Sequence, residues 1–118
     1  MAATPVLKTY FMLMVRDMTR ALRFYTDAFA VSVVFSSPEW SEFEAAGATV
    51  ALHAGGGTAG TETGLGFEVA DLEAALDRVV SVGGRVTRAP HDRPAEKIHL
   101  AQLADTEGNL ITLAQAAA

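Results

Sequence analysis

The stretch TYFMLMVRDMTRALRFYTDAF, residues 9–29, decides how the chain is read. Its opening, Thr9–Val15, is β-rich and apolar on both parities, as a strand covered on both faces would be. Asp17 then offers a short carboxylate of the kind that caps a helix. Beyond it Met18, Ala21, Leu22, Tyr25 and Phe29 recur at helical spacing and form one apolar stripe. Working outward, Val31–Ser36 reads as a strand, Ser37-Pro38 as a turn, and Trp40–Ala45 and Thr49–His53 as two more strands. The order is β-α-β-β-β.

The same grammar returns after the run AGGGTAGTETG at 54–64, which carries five glycines and no large side chain and reads as a linker. Leu65–Val69 is a strand, Asp71 a second cap, and Leu72, Ala75, Leu76 and Val79 a second helical stripe closed by Gly83-Gly84. Arg85–Arg88, Ile98–Leu103 and Leu110–Leu113 complete the set, while APHDRPAE at 89–96, with two prolines, is expected to be irregular. Val15-Arg-Asp17 stands over Val69-Ala-Asp71 and Gly47–Leu52 over Gly108–Leu113. Two such modules, 6–53 and 64–114 with a linker at 54–63, make one α+β domain over 1–118, the modules sharing a core or a sheet edge. A ferredoxin-like α+β domain with coincidental symmetry is the alternative.

Composition sets the outer bounds. The 118 residues are 50% hydrophobic and 19% charged, which describes a globular chain. A formal net charge of −5 argues against nucleic acid and anionic membrane as partners. The absence of cysteine removes disulfides, thiolate metal sites and a cysteine nucleophile. Met-Ala-Ala-Thr-Pro lacks a basic n-region and no apolar run approaches ~18 residues, so a cytoplasmic domain with neither signal peptide nor membrane span is expected.

Val15-Arg-Asp17, Phe24-Tyr25 in the helix, Val69-Ala-Asp71, and Asp105-Thr-Glu-Gly-Asn109 before the last strand together resemble the vicinal oxygen chelate superfamily. Its members include glyoxalase I, extradiol dioxygenases, fosfomycin-resistance enzymes and bleomycin-resistance proteins. The last motif is usually Asp-Pro-Asp-Gly-Asn; Thr106 and Glu107 replace its middle pair. The resemblance implies sheets curled into a cup with the helices outside, and in the metal enzymes four cup-facing ligands on the first and last strand of each module. Those positions carry Tyr10, Gly64, Ala51 and Thr112 here in place of the His/Glu set. A divalent ion needs at least three converging imidazole or carboxylate donors. No metal and no cofactor are therefore expected, a displaced set using His53 and Glu68 being the alternative.

Period-2 alternation assigns the cup lining. Phe11, Leu13 and Val15 should pack under the first helix, and Leu65, Phe67 and Val69 under the second. Tyr10, Met12 and Met14, together with Gly64, Gly66 and Glu68, then face the cup, with His53 and Thr112 from the last strands and Gln102 beside them. Met12 and Met14 suit a pliable apolar wall or ordinary core filling. Trp40, flanked by Glu39 and Glu42, either stacks on a flat ligand or sits at a subunit interface. His53 is a solvated strand end or a base. Glu68 is either paired with Arg16, Lys8 or water, or is a counter-ion or general base for a ligand. His91-Asp92-Arg93 reads as a charged surface turn, and Gly55–Gly57 lacks the Lys-Ser/Thr and following helix of a phosphate cradle.

By resemblance to bleomycin-resistance proteins, the expected function is metal-free binding of a small molecule, an antibiotic or similar ligand, by a homodimer. A glyoxalase-like lyase, isomerase or epimerase would need Glu68, His53 or Tyr10 to move protons. A structural or regulatory module is a third class.

Overall fold

A computed structural model describes residues 2–117. The elements run β1 (Tyr10–Val15), α1 (Met18–Ala28), β2 (Ser32–Phe35), β3 (Trp40–Ala45), β4 (Ala48–Ala54), β5 (Glu62–Glu68), α2 (Leu72–Ser81), β6 (Arg85–Arg93), β7 (Ile98–Ala104) and β8 (Leu110–Ala116). They build two βαβββ modules, each with a four-stranded mixed sheet: β1-β4-β3-β2 in the first and β5-β8-β7-β6 in the second. In both, the first strand lies parallel to the last and the rest are antiparallel. No helix among the described residues is long and apolar enough to cross a membrane.

Both caps form as read. Asp17 accepts from the Arg20 N–H and Asp71 from the Ala74 N–H, each at 3.0 Å, satisfying a donor the first helical turn leaves free. The parity reading also holds, except for Phe11, expected under the first helix but 38% exposed. Leu13, Val15, Val50, Leu52 and Phe43 of the first sheet, and Leu65, Ala101, Leu103, Ile111 and Leu113 of the second, are buried in one cluster with Ala21, Phe24, Tyr25, Leu76 and Val79 of the helices. The two modules therefore share a core.

Two expectations are corrected. Residues 89–93 are not irregular but continue β6 to Arg93, with register shifts between Val86 and His91. As an edge strand, β6 accommodates Pro90 because one row of its N–H groups needs no ladder partner. His91-Asp92-Arg93 accordingly lies in a strand rather than a turn. The linker is also shorter than 54–63, since β4 extends to Ala54 and β5 starts at Glu62, opposite Leu110.

The modules are tied by the turn before β8. Tyr25 Oη donates to Asp105 at 2.6 Å, the Asn109 amide donates to the Met14 carbonyl at 2.8 Å, and buried Glu107 accepts from the Arg16 and Asp17 N–H groups and from the Arg20 guanidinium. Burial and the neighbouring Asp105 charge hold the Tyr25 phenol well above its usual pKa.

Candidate functional site

The face of the first sheet turned away from the core carries three rows across its strands. Met14, His53 and Trp40 form one; Met12, Ala51, Glu42 and Phe35 the next; Tyr10, Thr49, Glu44 and Ser32 the third. Tyr10 stands edge-on to the Trp40 ring at 5.8 Å between centroids, and Trp40 lies 5.5 Å from the His53 ring. Tyr10, Met12 and Phe35 are 53%, 45% and 54% exposed, a large apolar content for a face turned to solvent. The sequence-derived residues Tyr10, Met12, Met14, Trp40 and His53 thus share one surface.

Glu42 is the residue that sequence reading treated only as a flank. It accepts from the Trp40 indole N–H at 2.8 Å and from Lys8 at 2.5 Å. The Lys8 ammonium and then the indole hydrogen bond lower its pKa. The signal was present in the period: Trp40 and Glu42 are two apart on a strand, hence on one face. Trp40 is held in place by this bond.

The segment after β4 folds back over the same face. A side chain on Gly56 would overlap the His53 ring, and one on Gly57 would meet the Met14 methyl at 3.4 Å. The glycine run therefore covers His53 and Met14 rather than merely linking the modules. Gly60 and Thr61 donate their N–H groups to the Asn109 side-chain oxygen, at 2.9 and 3.4 Å, which fixes the far end of the run.

Gln102 and Thr112 lie on the second sheet, in one row with Gly66. Thr87 Oγ1 donates to the Gln102 side-chain oxygen at 2.9 Å, and Thr112 Oγ1 approaches the Leu65 carbonyl at 3.5 Å. Glu68, one row further, is exposed and its carboxylate makes no hydrogen bond or ion pair with any described residue, whereas Lys8 is engaged by Glu42 and Arg16 by the Glu107 carbonyl. Neither cation proposed as its partner is used that way. Glu68 and Tyr10 instead line a common cleft of about 870 Å³ between the modules.

The four positions at which the resemblance places metal ligands do not make a donor set. Tyr10 is a solvent-exposed phenol on an edge strand, and Ala51 is a buried methyl between Met12 and Glu42. Gly64 has no side chain, and the Thr112 hydroxyl is turned to a backbone carbonyl. Among the described residues no three His, Cys, Asp or Glu side chains converge, so His53 and Glu68 gain no third donor. Divalent ions need such convergence. These residues do not fit the family's metal.

Comparison with known proteins agrees with the architecture. A structure of a superfamily member from Sphaerobacter thermophilus superposes with a TM-score of 0.78 at 22% identity, covering 94% of this chain and 98% of that one. TnmS3, an antibiotic binding protein from a Streptomyces species, gives 0.75 at 22% identity, covering 98% and 100%. The fosfomycin resistance protein FosX from Mesorhizobium loti gives 0.71 at 19% identity, covering 97% and 94%. No curated protein matches the sequence. At such identities these structures speak for the fold alone. The family model of the glyoxalase/bleomycin resistance protein/dioxygenase superfamily, however, matches residues 9–113, nearly the whole of both modules, and the chain belongs to that superfamily.

Proposed function

We propose that this chain is a metal-free small-molecule-binding protein that holds a flat, apolar ligand such as an antibiotic on its exposed sheet face, as a cytoplasmic homodimer. The observation that carries the reading is chemical: Tyr10, Ala51, Gly64 and Thr112 stand where the resemblance places metal ligands, while the first-sheet face that carries Tyr10 and Ala51 also presents Trp40, Met12 and Met14. Apolar surface removed from water contributes about 25 cal/mol per Å² before association costs, so a ligand spread over these rings binds with few polar contacts. His53 supplies orientation on this face, while Gln102, Thr112 and Glu68 stand on the second sheet. An antibiotic binding protein among the structural neighbours supports the same class.

Surface area supports the dimer. A folded monomer of this mass exposes roughly 6,100 Å² by surface scaling. The chain exposes 7125 Å². The surplus, about 1,000 Å², includes the exposed segment 2–9, and what it leaves to a partner is the apolar edge of the first sheet. Exposed Val33, Val34 and Phe35 on edge strand β2 are suited to such burial. A glyoxalase-like lyase, isomerase or epimerase is the second reading, favoured by one observation: the unpaired Glu68 carboxylate is available as a base.

Native mass spectrometry tests all three parts of the proposal. The expected species has twice the 12.4 kDa chain mass, carries no stoichiometric zinc, nickel, iron or manganese, and gains the mass of an aromatic antibiotic as Trp40 fluorescence changes. A 12.4 kDa species at micromolar concentration would overturn the dimer, and one metal equivalent lost on His53→Ala would overturn the metal-free reading. Failure of every aromatic or peptide-like antibiotic to bind would leave the enzymatic reading in its place.

A further inference from the structure

The cleft shared by Tyr10 and Glu68 adjoins the exposed face that holds Trp40 and His53, with Tyr10 and Thr49 at the boundary of the two. Its walls come from the start of β1, the residues after α1, the β3–β4 hairpin and the end of β5. Most of its aromatic surface has core parity: Phe11, Phe29 and Phe67 all line it, with Phe29 and Phe67 edge-to-face at 5.0 Å. Buried Leu65 and Val50 contribute to the same lining. Phe11 is 38% exposed although its parity points it toward the core, because the modules do not close over it.

Interiors pack to nearly crystalline density, so an aromatic-walled gap of about 870 Å³ between two modules is room for an occupant. The volume falls in the range of small-molecule sites. Its charge is one-sided. Among the described residues Glu68 is the only charged one lining it, and no described Lys or Arg does so. The nearby cations are committed elsewhere: Lys8 to Glu42, Arg16 to the Glu107 carbonyl, and Arg78 to the Asp27 carbonyl.

We infer that this inter-module cleft is a site for a monovalent organic cation with an aromatic body, the rings lying against Phe11, Phe29 and Phe67 and the positive charge against Glu68. The inference rests on the small-molecule reading and places the cationic ligand in the cleft beside the Trp40 face rather than on it. Rings of Phe and Tyr attract a cation over their faces, and a charge-assisted contact to carboxylate exceeds a neutral one. An apolar neutral of the same size gains only the first part.

The test uses berberine, a flat aromatic cation that fluoresces in apolar surroundings, against neutral N-phenyl-1-naphthylamine. Both are titrated into the intact protein and into Glu68→Gln, Ala30→Phe and Trp40→Phe, each first shown by circular dichroism to be folded. Ala30 is exposed and lines the cleft, so the added ring narrows it. The expected result is that Glu68→Gln weakens berberine about tenfold and leaves the neutral probe within about twofold, since one decade is about 1.4 kcal/mol. Ala30→Phe should weaken both. Berberine binding that is lost in Trp40→Phe but untouched by Glu68→Gln and Ala30→Phe would overturn the cleft and leave the exposed-face reading standing. Equal berberine affinity for wild type and Glu68→Gln, or no berberine binding at all, would also overturn it.

Discussion

Glu107→Ala is expected to lower the free energy of unfolding by about 3 kcal/mol, a large share of what a domain of this size has. Glu107 has no exposed side-chain surface, yet it is an ion. Its two oxygens accept from the Arg16 N–H (2.8 Å), the Asp17 N–H (2.9 Å), Arg20 Nε (2.7 Å), Arg20 Nη2 (3.0 Å) and Thr106 Oγ1 (3.1 Å). Four of those five bonds cross from the turn before β8 to the entry of α1. Truncation strands two backbone donors and a guanidinium at the junction of the modules, and unmet buried donors are costly. Urea unfolding measures the change. Glu96→Ala is the control: it removes a pair with Arg93 in which both side chains are nearly half exposed, and should shift stability by no more than about 0.5 kcal/mol.

The same carboxylate shapes the acid limb of stability. Burial alone would raise its pKa, but Arg20 and the Asp17 and Arg16 N–H groups outweigh burial and bring it from 4.5 down to about 2. A carboxyl whose pKa is lower in the folded chain stabilises the fold above its unfolded pKa. That contribution is lost as pH falls from 4.5 toward 2, and the difference amounts to about 3 kcal/mol. Asp105, five residues before Leu110 at the start of β8, runs the other way. Burial raises its pKa despite the Tyr25 and Asn109 hydrogen bonds, so its ionic form costs stability near neutrality and that cost is relieved in acid. The wild type should therefore lose stability below pH 4.5, less steeply than Glu107 alone would dictate, and Glu107→Gln should flatten the limb. Parallel curves for the two proteins would show that Glu107 is not the titrating group.

Much of this architecture was legible because it rests on local rules. Asp17 and Asp71 precede apolar stripes at helical spacing and cap helices in the structure. Alternation assigned Leu13 and Val15 to the core and Tyr10 and Met12 to the open face. What escaped depends on contacts between distant segments. Residues 2–8 carry no periodic signal, so the reach of Lys8 to Glu42, and with it the release of Glu68, could not be read. Glu107 was visible only as a departure from the usual motif; that it anchors Arg20 needs the two modules in place. The second half of β6, from Ala89, reads as part of an irregular loop because two prolines argue against a strand, and only its edge position reverses that for Pro90.

Asn109→Ala is expected to cost about 2–4 kcal/mol and, more tellingly, to free the glycine run over the candidate binding face. Asn109 is fully buried and works with both ends of its amide. The nitrogen donates to the Met14 carbonyl at 2.8 Å, and the oxygen accepts from the Gly60 and Thr61 N–H groups at 2.9 and 3.4 Å. The first bond reaches β1 of the first module. The second pair fixes the run in which Gly56 covers His53 and Gly57 covers Met14. Alanine removes both ends at once. Asn109→Asp separates them: a carboxylate still accepts from Gly60 but no longer donates to Met14. Hydrogen exchange over residues 55–61 should then rise at least tenfold in Asn109→Ala, stay near wild type in Asn109→Asp, and be accompanied in the alanine variant by a shift in Trp40 emission, because Trp40 packs on His53. Wild-type exchange rates over 55–61 in Asn109→Ala would show that the glycines hold their position without this anchor. A tenfold rise confined to that segment would instead identify Asn109, a residue that touches no ligand, as the group that sets how much of His53 and Met14 a ligand meets.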